Sequence, residues 1–300
     1  MQKSAIENSP LVALVGLGQM GAGIARNLDR AGLLFAAYDL DKSKFDAAGL
    51  SREVSNAPLE TIIGRSEIVL FAVPTTQDVK SLVDAGAAPD GQIIIDLTTS
   101  APAESEALAR MLSGQGRHYL DAAMTGGAAG ADQGALALMV GGDAETLLRC
   151  QPVLDVFTKE IFHLGPAGSG HAMKLVHNMI LHSSFLATCE GLGIAVQAGL
   201  DPDQAVAVLN AGNARSFVTE TRFPRDILSG TMDARSQISN LQKDLGLAVQ
   251  FSKDAQMQSL YGELSTQILT EALDQGHGNA DFSNLYPLYE NLAKAVAANQ

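Results

Sequence analysis

The stretch Val15-Gly16-Leu17-Gly18-Gln19-Met20-Gly21-Ala22-Gly23-Ile24-Ala25-Arg26-Asn27-Leu28-Asp29-Arg30 decides the fold of this chain. It follows an apolar run, Leu11 to Val15, that reads as a buried strand, and it opens an amphipathic helical pattern. Its spacing is Gly16-x-Gly18-x-x-Gly21. In such a turn the first glycine lets the chain leave a strand sharply. The second admits the backbone close to a pyrophosphate, and the third lets the helix pack on the strand. The helix N-terminus then offers N–H groups and a positive dipole end to the phosphates. The next apolar run, Leu33 to Tyr38, ends on Asp39, near the position where a dinucleotide fold carries its ribose-binding carboxylate. A carboxylate there accepts from both ribose hydroxyls of NAD and repels the extra phosphate of NADP. Leu40, Asp41 and Lys42 follow, with no arginine among them. The expected cofactor is NAD(H), with NADP as the alternative.

Outward from this turn, the pattern alternates strands and helices. Candidate strands are Leu11–Val15, Leu33–Tyr38, Ile68–Val73, Ile93–Asp96, His118–Ala122, Ala135–Val140 and Glu160–Leu164, with helices such as Thr76–Ala87 and Pro102–Gly114 between them. Pro102 with Ser100 before it suits a helix N-terminal cap region. Such alternation implies a doubly wound, largely parallel sheet. After Gly165 the strand signal stops. A glycine-rich turn leads into a long helical pattern, about His171 to Ala198. Further helices follow over Pro202–Asn210, roughly Ser236–Lys253, Met257–Asp274 and Leu285–Ala297. The expected organisation is a flexible N-terminus over residues 1–10, a dinucleotide-binding α/β domain over 11–165, and an all-α domain over 166–300 that begins with an interdomain helix.

Composition narrows the function class. The chain has 300 residues, is 46% hydrophobic and carries a formal net charge of −13. That acidity argues against nucleic acid and anionic membranes as partners, while leaving room for a local cationic pocket. Cys150 and Cys189 form no metal or redox motif and read as buried thiols in a reducing compartment. The first ten residues lack a hydrophobic signal core, and the apolar stretches read as interrupted by charge or glycine short of a membrane span. A cytoplasmic protein is the expectation.

The long helix opens with Gly168-Ser169-Gly170-His171-Ala172-Met173-Lys174-Leu175-Val176-His177-Asn178. At helical spacing His171, Lys174, His177 and Asn178 share one face, while Met173, Val176 and Ile180 lie on other faces and can pack. Hydride transfer needs a proton partner for the substrate oxygen. A lysine can serve where burial or a second cation brings its pKa toward neutrality. Read alone, the stripe fits either a catalytic Lys174 with Asn178 one turn on, or a solvated polar face. The His171/His177 spacing is poor for chelation and no metal is expected.

Four motifs together make the chain resemble the β-hydroxyacid dehydrogenase family of 3-hydroxyisobutyrate dehydrogenases, tartronate semialdehyde reductases and relatives, over about Leu11 to Leu292. The first is the GLGQMG turn, Gly16 to Gly21. The second runs from Asp121 through Thr125-Gly126-Gly127 and Gly130 to Gly142, and is similar to the family's DAPVSGGxxGAxxGTL substrate segment. The third, Gly168-x-Gly170-x-x-x-Lys174-x-x-His177-Asn178, is similar to GxGxxxKxxNN. The fourth is Lys243-Asp244-Leu245, similar to a KDL element. The resemblance implies a 6-phosphogluconate dehydrogenase-like fold: a Rossmann-type domain followed by a helical domain through which homodimers or homotetramers form. It implies hydride exchange between NAD(H) and a small anionic β-hydroxy acid or its semialdehyde. Lys174 would be the general acid/base and Asn178 would orient lysine or substrate. Thr125, Gly126 and Gly127 would hold the substrate carboxylate, with His177 beside it. Gly16, Gly18, Gln19, Met20, Gly21, Asp39, Val73, Pro74, Thr99 and Lys243 would line the cofactor.

The chain departs from the family pattern at Ala123, Thr125 and His177, where proline, serine and asparagine are usual. Those departures leave the exact acid open. Two alternatives stand beside this reading. One is an imine reductase-like enzyme, against which Lys174 argues. The other is a non-catalytic dinucleotide-binding scaffold.

Overall fold

A computed structural model describes residues 10–298, so the expectation for residues 1–10 falls, but for Pro10, outside the described residues. The first half builds a seven-stranded sheet. In chain order it runs β1 (Val12–Val15), α1 (Gln19–Arg30), β2 (Leu34–Tyr38), α2 (Lys42–Ala48), α3 (Leu59–Arg65), β3 (Ile68–Phe71) and α4 (Thr76–Leu82). It continues with β4 (Ile93–Asp96), α5 (Pro102–Gly114), β5 (His118–Thr125), α6 (Gly127–Gln133), β6 (Leu136–Gly142), α7 (Ala144–Leu154) and β7 (Thr158–Gly165). The strand order is β2-β1-β3-β4-β5-β6-β7. Only the β5–β6 pair is antiparallel.

The central strands are short and wholly apolar because both faces of the sheet are covered. Val12, Leu14, Ile68, Leu70, Ile93 and Ile95 enter one core. Their neighbours Ala13, Val15, Val69, Phe71 and Ile94 enter the opposite one. Each fully buried Leu, Ile or Phe side chain contributes about 1.5–3 kcal/mol by leaving water. The strand order reverses at β1, with β2 on one side and β3 on the other, and such a switch point opens a crevice beyond the strand C-termini. The expected β3 strand ran to Val73. It ends instead at Phe71, and Thr75 caps α4 in a reciprocal box with Asp78. The expected helix there shortens to Leu82.

The long helix α8 spans Ser169–Gln197. Among the described residues the chain divides into two compact units within this helix, one ending at Lys174 and the other beginning at Leu175. The second unit continues with α9 (Pro202–Ala211), α10 (Ile238–Asp254), α11 (Leu260–Asp274) and α12 (Leu285–Ala298). Its core centres on Phe185, whose ring meets Phe282 edge-on at 5.1 Å and Phe223 at 5.8 Å. A π-helix over Val218–Leu228 was not expected. Pro224 lies inside it, and a residue with no N–H argues against a regular helix; here the wider π winding takes the place of an α-helix.

Two expectations for α8 need correction. By length and composition it is long and apolar enough to cross a membrane, because no charge interrupts it between Lys174 and Glu190. Met173, Val176 and Ile180 are not buried as packing residues would be; they are 40%, 38% and 59% exposed.

Candidate active site

The glycine turn forms as its spacing requires. Gly16 leaves β1 with φ +98°, and a side chain there would fall 2.5 Å from the Ala72 carbonyl oxygen. A side chain at Gly21 would collide with the Gly16 carbonyl. At Gly18 it would meet no protein atom within 4 Å, so this face of the turn is open. Gly18 is also the N-cap of α1 and supplies no side-chain cap, which leaves the first-turn N–H groups for a phosphate. Gln19 and Met20 begin that helix. Val73 lies against Gly16, its Cγ1 3.2 Å from the position a Cβ would take there, and Pro74 follows it. Asp39, at the end of β2, accepts the Leu17 N–H with Oδ2 at 2.7 Å and the Asp41 N–H with Oδ1 at 2.9 Å. Lys44 Nζ stands 3.4 Å from the same Oδ1. The turn, the open Gly18 face and this carboxylate fit a nicotinamide dinucleotide.

Strand β4 ends in a buried polar cluster that takes in Tyr119 near the start of β5. Asp96 accepts from the Thr76 hydroxyl at 2.7 Å, the Tyr119 hydroxyl at 2.8 Å and the Thr98 N–H at 3.0 Å. Burial, then the Asp96 charge, pushes the Tyr119 hydroxyl well above its ordinary pKa, so it stays a proton donor to Asp96. Ser100 does not cap α5. Its hydroxyl accepts the Thr76 N–H and donates to Glu104, while Ala101 is the N-cap and Pro102 the first helical residue. Thr99 sits half-buried between Thr98 and Ser100.

Strand β5 carries two functions four residues apart. At its end, Thr125 is half-buried and Gly126 and Gly127 turn the chain with φ +120° and +64°. In its middle, Asp121 is fully buried and accepts the backbone N–H groups of Gly168 at 2.7 Å and His171 at 2.9 Å. Asp121 thus caps the N-terminus of α8 from the middle of β5. Burial raises its pKa, although the nearby His171 and these two N–H groups oppose the rise. Gly170 is glycine for the same reason: a side chain would collide with the Met139 carbonyl and fall 2.7 Å from that of Asp121. Lys174 follows one turn later, half-buried. So one strand fixes both the Thr125-Gly126-Gly127 turn and the start of the lysine-bearing helix.

Within the second unit, Asn178 is 4% exposed and donates from Nδ2 to Asp244 Oδ2 at 2.7 Å. Its Oδ1 then faces His177 Nδ1 at 3.0 Å, which assigns the ring proton to Nδ1. Lys243 Nζ lies 3.0 Å from the other Asp244 oxygen. The third and fourth sequence motifs therefore meet, but through Asp244 rather than through the lysine that sequence reasoning singled out. Asp96, Ser105, Tyr119 and Lys44 were also missed. Only their positions at strand ends or in a helix pattern could have signalled them. Among the described residues no cluster of His, Cys, Asp and Glu could hold a metal.

Known proteins resemble the chain over most of its length. Residues 11–165 match the family described as the NAD binding domain of 6-phosphogluconate dehydrogenase. Residues 168–289 match the one described as NAD-binding of NADP-dependent 3-hydroxyisobutyrate dehydrogenase. The chain is 28% identical to 2-(hydroxymethyl)glutarate dehydrogenase of Eubacterium barkeri, over 96% of this chain and 97% of that protein. It is 30% identical to NAD-dependent L-serine dehydrogenase of Pseudomonas aeruginosa, over 93% and 97%. A solved structure of Mycobacterium tuberculosis 3-hydroxyisobutyrate dehydrogenase with L-serine superposes with a TM-score of 0.83 at 27% identity, covering 94% of this chain and 99% of that one.

Proposed function

Because this chain belongs to the β-hydroxyacid dehydrogenase family, we propose that it exchanges a hydride between NAD(H) and a 3-hydroxy acid of the form HO–CH2–CH(R)–COO−. The chain is an NAD(P)-dependent oxidoreductase acting on a CH–OH group. The compounds named for its relatives, 2-(hydroxymethyl)glutarate, L-serine and 3-hydroxyisobutyrate, share that skeleton and differ only at R. The product is the corresponding semialdehyde.

The observation that carries the reading is the Asp121 cap. It ties the helix bearing Lys174 to the strand that ends in Thr125-Gly126-Gly127. A bound nicotinamide supplies the hydride acceptor in oxidation and the donor in reduction. The chain does the rest. The Thr125 hydroxyl and the N–H groups of Gly126 and Gly127 hold the substrate carboxylate. Lys174, as the free amine, takes the hydroxyl proton as the C–H bond breaks, and as the ammonium returns it to the carbonyl oxygen in the reverse direction. Asn178, its amide fixed by Asp244, orients the lysine and substrate.

An NAD⁺ and NADP⁺ reduction screen with L-serine, 3-hydroxyisobutyrate, 2-(hydroxymethyl)glutarate and glycerate tests this, with Lys174→Ala as the blank. One acid oxidised with NAD⁺ and silent in the variant supports it. Equal turnover in the variant removes Lys174 from the mechanism. An imine substrate is not favoured, since the Eubacterium barkeri and Pseudomonas aeruginosa relatives are named for hydroxy compounds.

The protein also self-associates in this reading, as a homodimer or homotetramer, through exposed apolar residues of its helical unit such as Ile180, Leu260, Tyr261 and Leu264. A reducing, cytoplasmic location suits its two buried thiols. Burial pushes the Cys150 thiol up to about 12 and the Cys189 thiol well above its ordinary value, so neither is primed for redox chemistry.

A further inference from the structure

His171 is the least expected side chain in the first unit. It is fully buried, three residues before Lys174, in the first turn of α8. Its Nδ1 lies 2.6 Å from Ser105 Oγ on α5. Its Nε2 has no hydrogen-bond partner and stands 3.9 Å from Asp96 Oδ1. Asp96 also accepts from the Tyr119 hydroxyl, through Oδ2 at 2.8 Å. The Ser105 hydroxyl and the imidazole form a hydrogen-bonded side-chain pair between α5 and the first turn of α8.

A buried ring nitrogen without a partner lowers stability, and an apolar side chain of similar size would avoid that cost. What the imidazole adds is direction. Asp121 holds the His171 backbone N–H, and Ser105 holds its ring, so the first turn of α8 is fixed in both translation and rotation. Rotation matters because residues three apart share a helix face, and turning the His171 end turns Lys174 with it.

We propose that His171, clamped by Ser105, is a positioning residue that sets the rotation of the first turn of α8 and so the direction of the Lys174 amine. The proposal rests on the reading of Lys174 as the proton-transfer group.

The test compares His171→Leu, His171→Gln, Ser105→Ala and Lys174→Ala. The leucine variant removes the directed contact and keeps the volume. Its melting temperature stays at or above that of the unaltered protein, while kcat for L-serine or 3-hydroxyisobutyrate falls by about tenfold or more. NADH affinity, read by fluorescence, stays within about twofold, because the glycine turn is untouched. Amide hydrogen exchange over Gly168–Lys174 in the dinucleotide-free protein speeds up, an arm that needs no substrate. The glutamine variant, whose amide can donate to or accept from Ser105, restores kcat and slow exchange.

A residue that only filled space would move stability and leave kcat and the exchange of this turn alone. Unchanged kcat and exchange in His171→Leu overturn the proposal. Should that variant not fold, Ser105→Ala decides, its unchanged exchange and kcat overturning it equally. Loss of turnover in Lys174→Ala beside normal behaviour of the His171 variants refutes this inference alone. Turnover retained in Lys174→Ala refutes the lysine reading, and this inference with it.

Discussion

Asp39 Oδ2 accepts the backbone N–H of Leu17 at 2.7 Å, so the carboxylate expected to bind the ribose also holds the glycine turn in shape. Its other oxygen is shared by the Asp41 N–H and Lys44. Each role has its own variant. Asp39→Asn keeps one acceptor for Leu17 and removes the charge that repels a 2′-phosphate. It should raise the kcat/KM ratio of NADP⁺ to NAD⁺ by about tenfold, or about 1.4 kcal/mol. Lys44→Ala should raise the KM for NADP⁺ and leave that for NAD⁺ nearly unchanged, because only a 2′-phosphate gains from the ammonium. Steady-state kinetics with both cofactors measures this. An unaltered enzyme that strongly prefers NADP⁺ would refute the role given to Asp39.

The Asn178–Asp244 bond yields a second prediction. Asp244 Oδ2 accepts from the Asn178 amide at 2.7 Å, and Asn178 is buried. Asp244→Ala leaves a buried donor unpaired and lets the amide rotate, a loss of about 1–3 kcal/mol. Spent on orientation, that lowers kcat by about 5- to 150-fold with little effect on dinucleotide binding. Asn178→Ala with Asp244→Ala should cost little more than either alone, since both remove the same device. Additive losses would show that the two residues act separately.

Those two bonds mark how far the sequence was legible. Residues that must be glycine or apolar for steric reasons could be read directly. Gly16, Gly21 and Gly170 each face a carbonyl that excludes a Cβ, and Ile93-Ile94-Ile95 has no polar position because both faces of β4 are covered. Helix α5 also lies where its N-terminal proline placed it, Pro102–Gly114. Polar partners could not be read, because their pairing depends on packing between distant segments. Asp244 meets Asn178 across 66 positions, and Ser105 meets His171 across the same separation. Nothing local distinguishes Asp244 from a solvated helical carboxylate. The π-helix Val218–Leu228 was hidden for another reason: its proline and its charges break the 3.6-residue apolar period.

Stability should depend on acid through Asp281. This side chain accepts from the Ser283 N–H and hydroxyl, the Ala234 N–H and the Ser236 N–H. Burial opposes its charge, but these donors outweigh burial and hold the pKa below the ordinary 3.8. A carboxylate with a depressed folded pKa adds stability above the unfolded value. That stability is lost as pH falls through the folded value. Asp281→Asn should therefore melt several degrees lower at neutral pH, and the gap to the unaltered protein should close as pH drops below 3.8. Melting curves across that range test it. A gap that stays constant with pH would mean the charge on Asp281 contributes nothing.

The exposed apolar residues of the helical unit give the last prediction. Ile180 on α8 is 59% exposed, and Leu260, Tyr261 and Leu264 on α11 are 65%, 80% and 47% exposed. The two helices are neighbours within this unit. The Ser265 hydroxyl bonds that of Ser183 at 3.0 Å, and Ser259 reaches the Met179 sulfur at 3.3 Å. These exposed apolar side chains therefore lie on two adjoining helices, and monomeric proteins seldom leave large apolar areas in water. A symmetric dimer presents each altered residue twice, so a charge placed there meets its own copy. Ile180→Glu with Leu264→Glu should convert a dimer or tetramer to monomer in sedimentation velocity. NADH binding should survive, because the glycine turn lies in the other unit. A sedimentation coefficient unmoved by both glutamates would place any interface elsewhere on the surface.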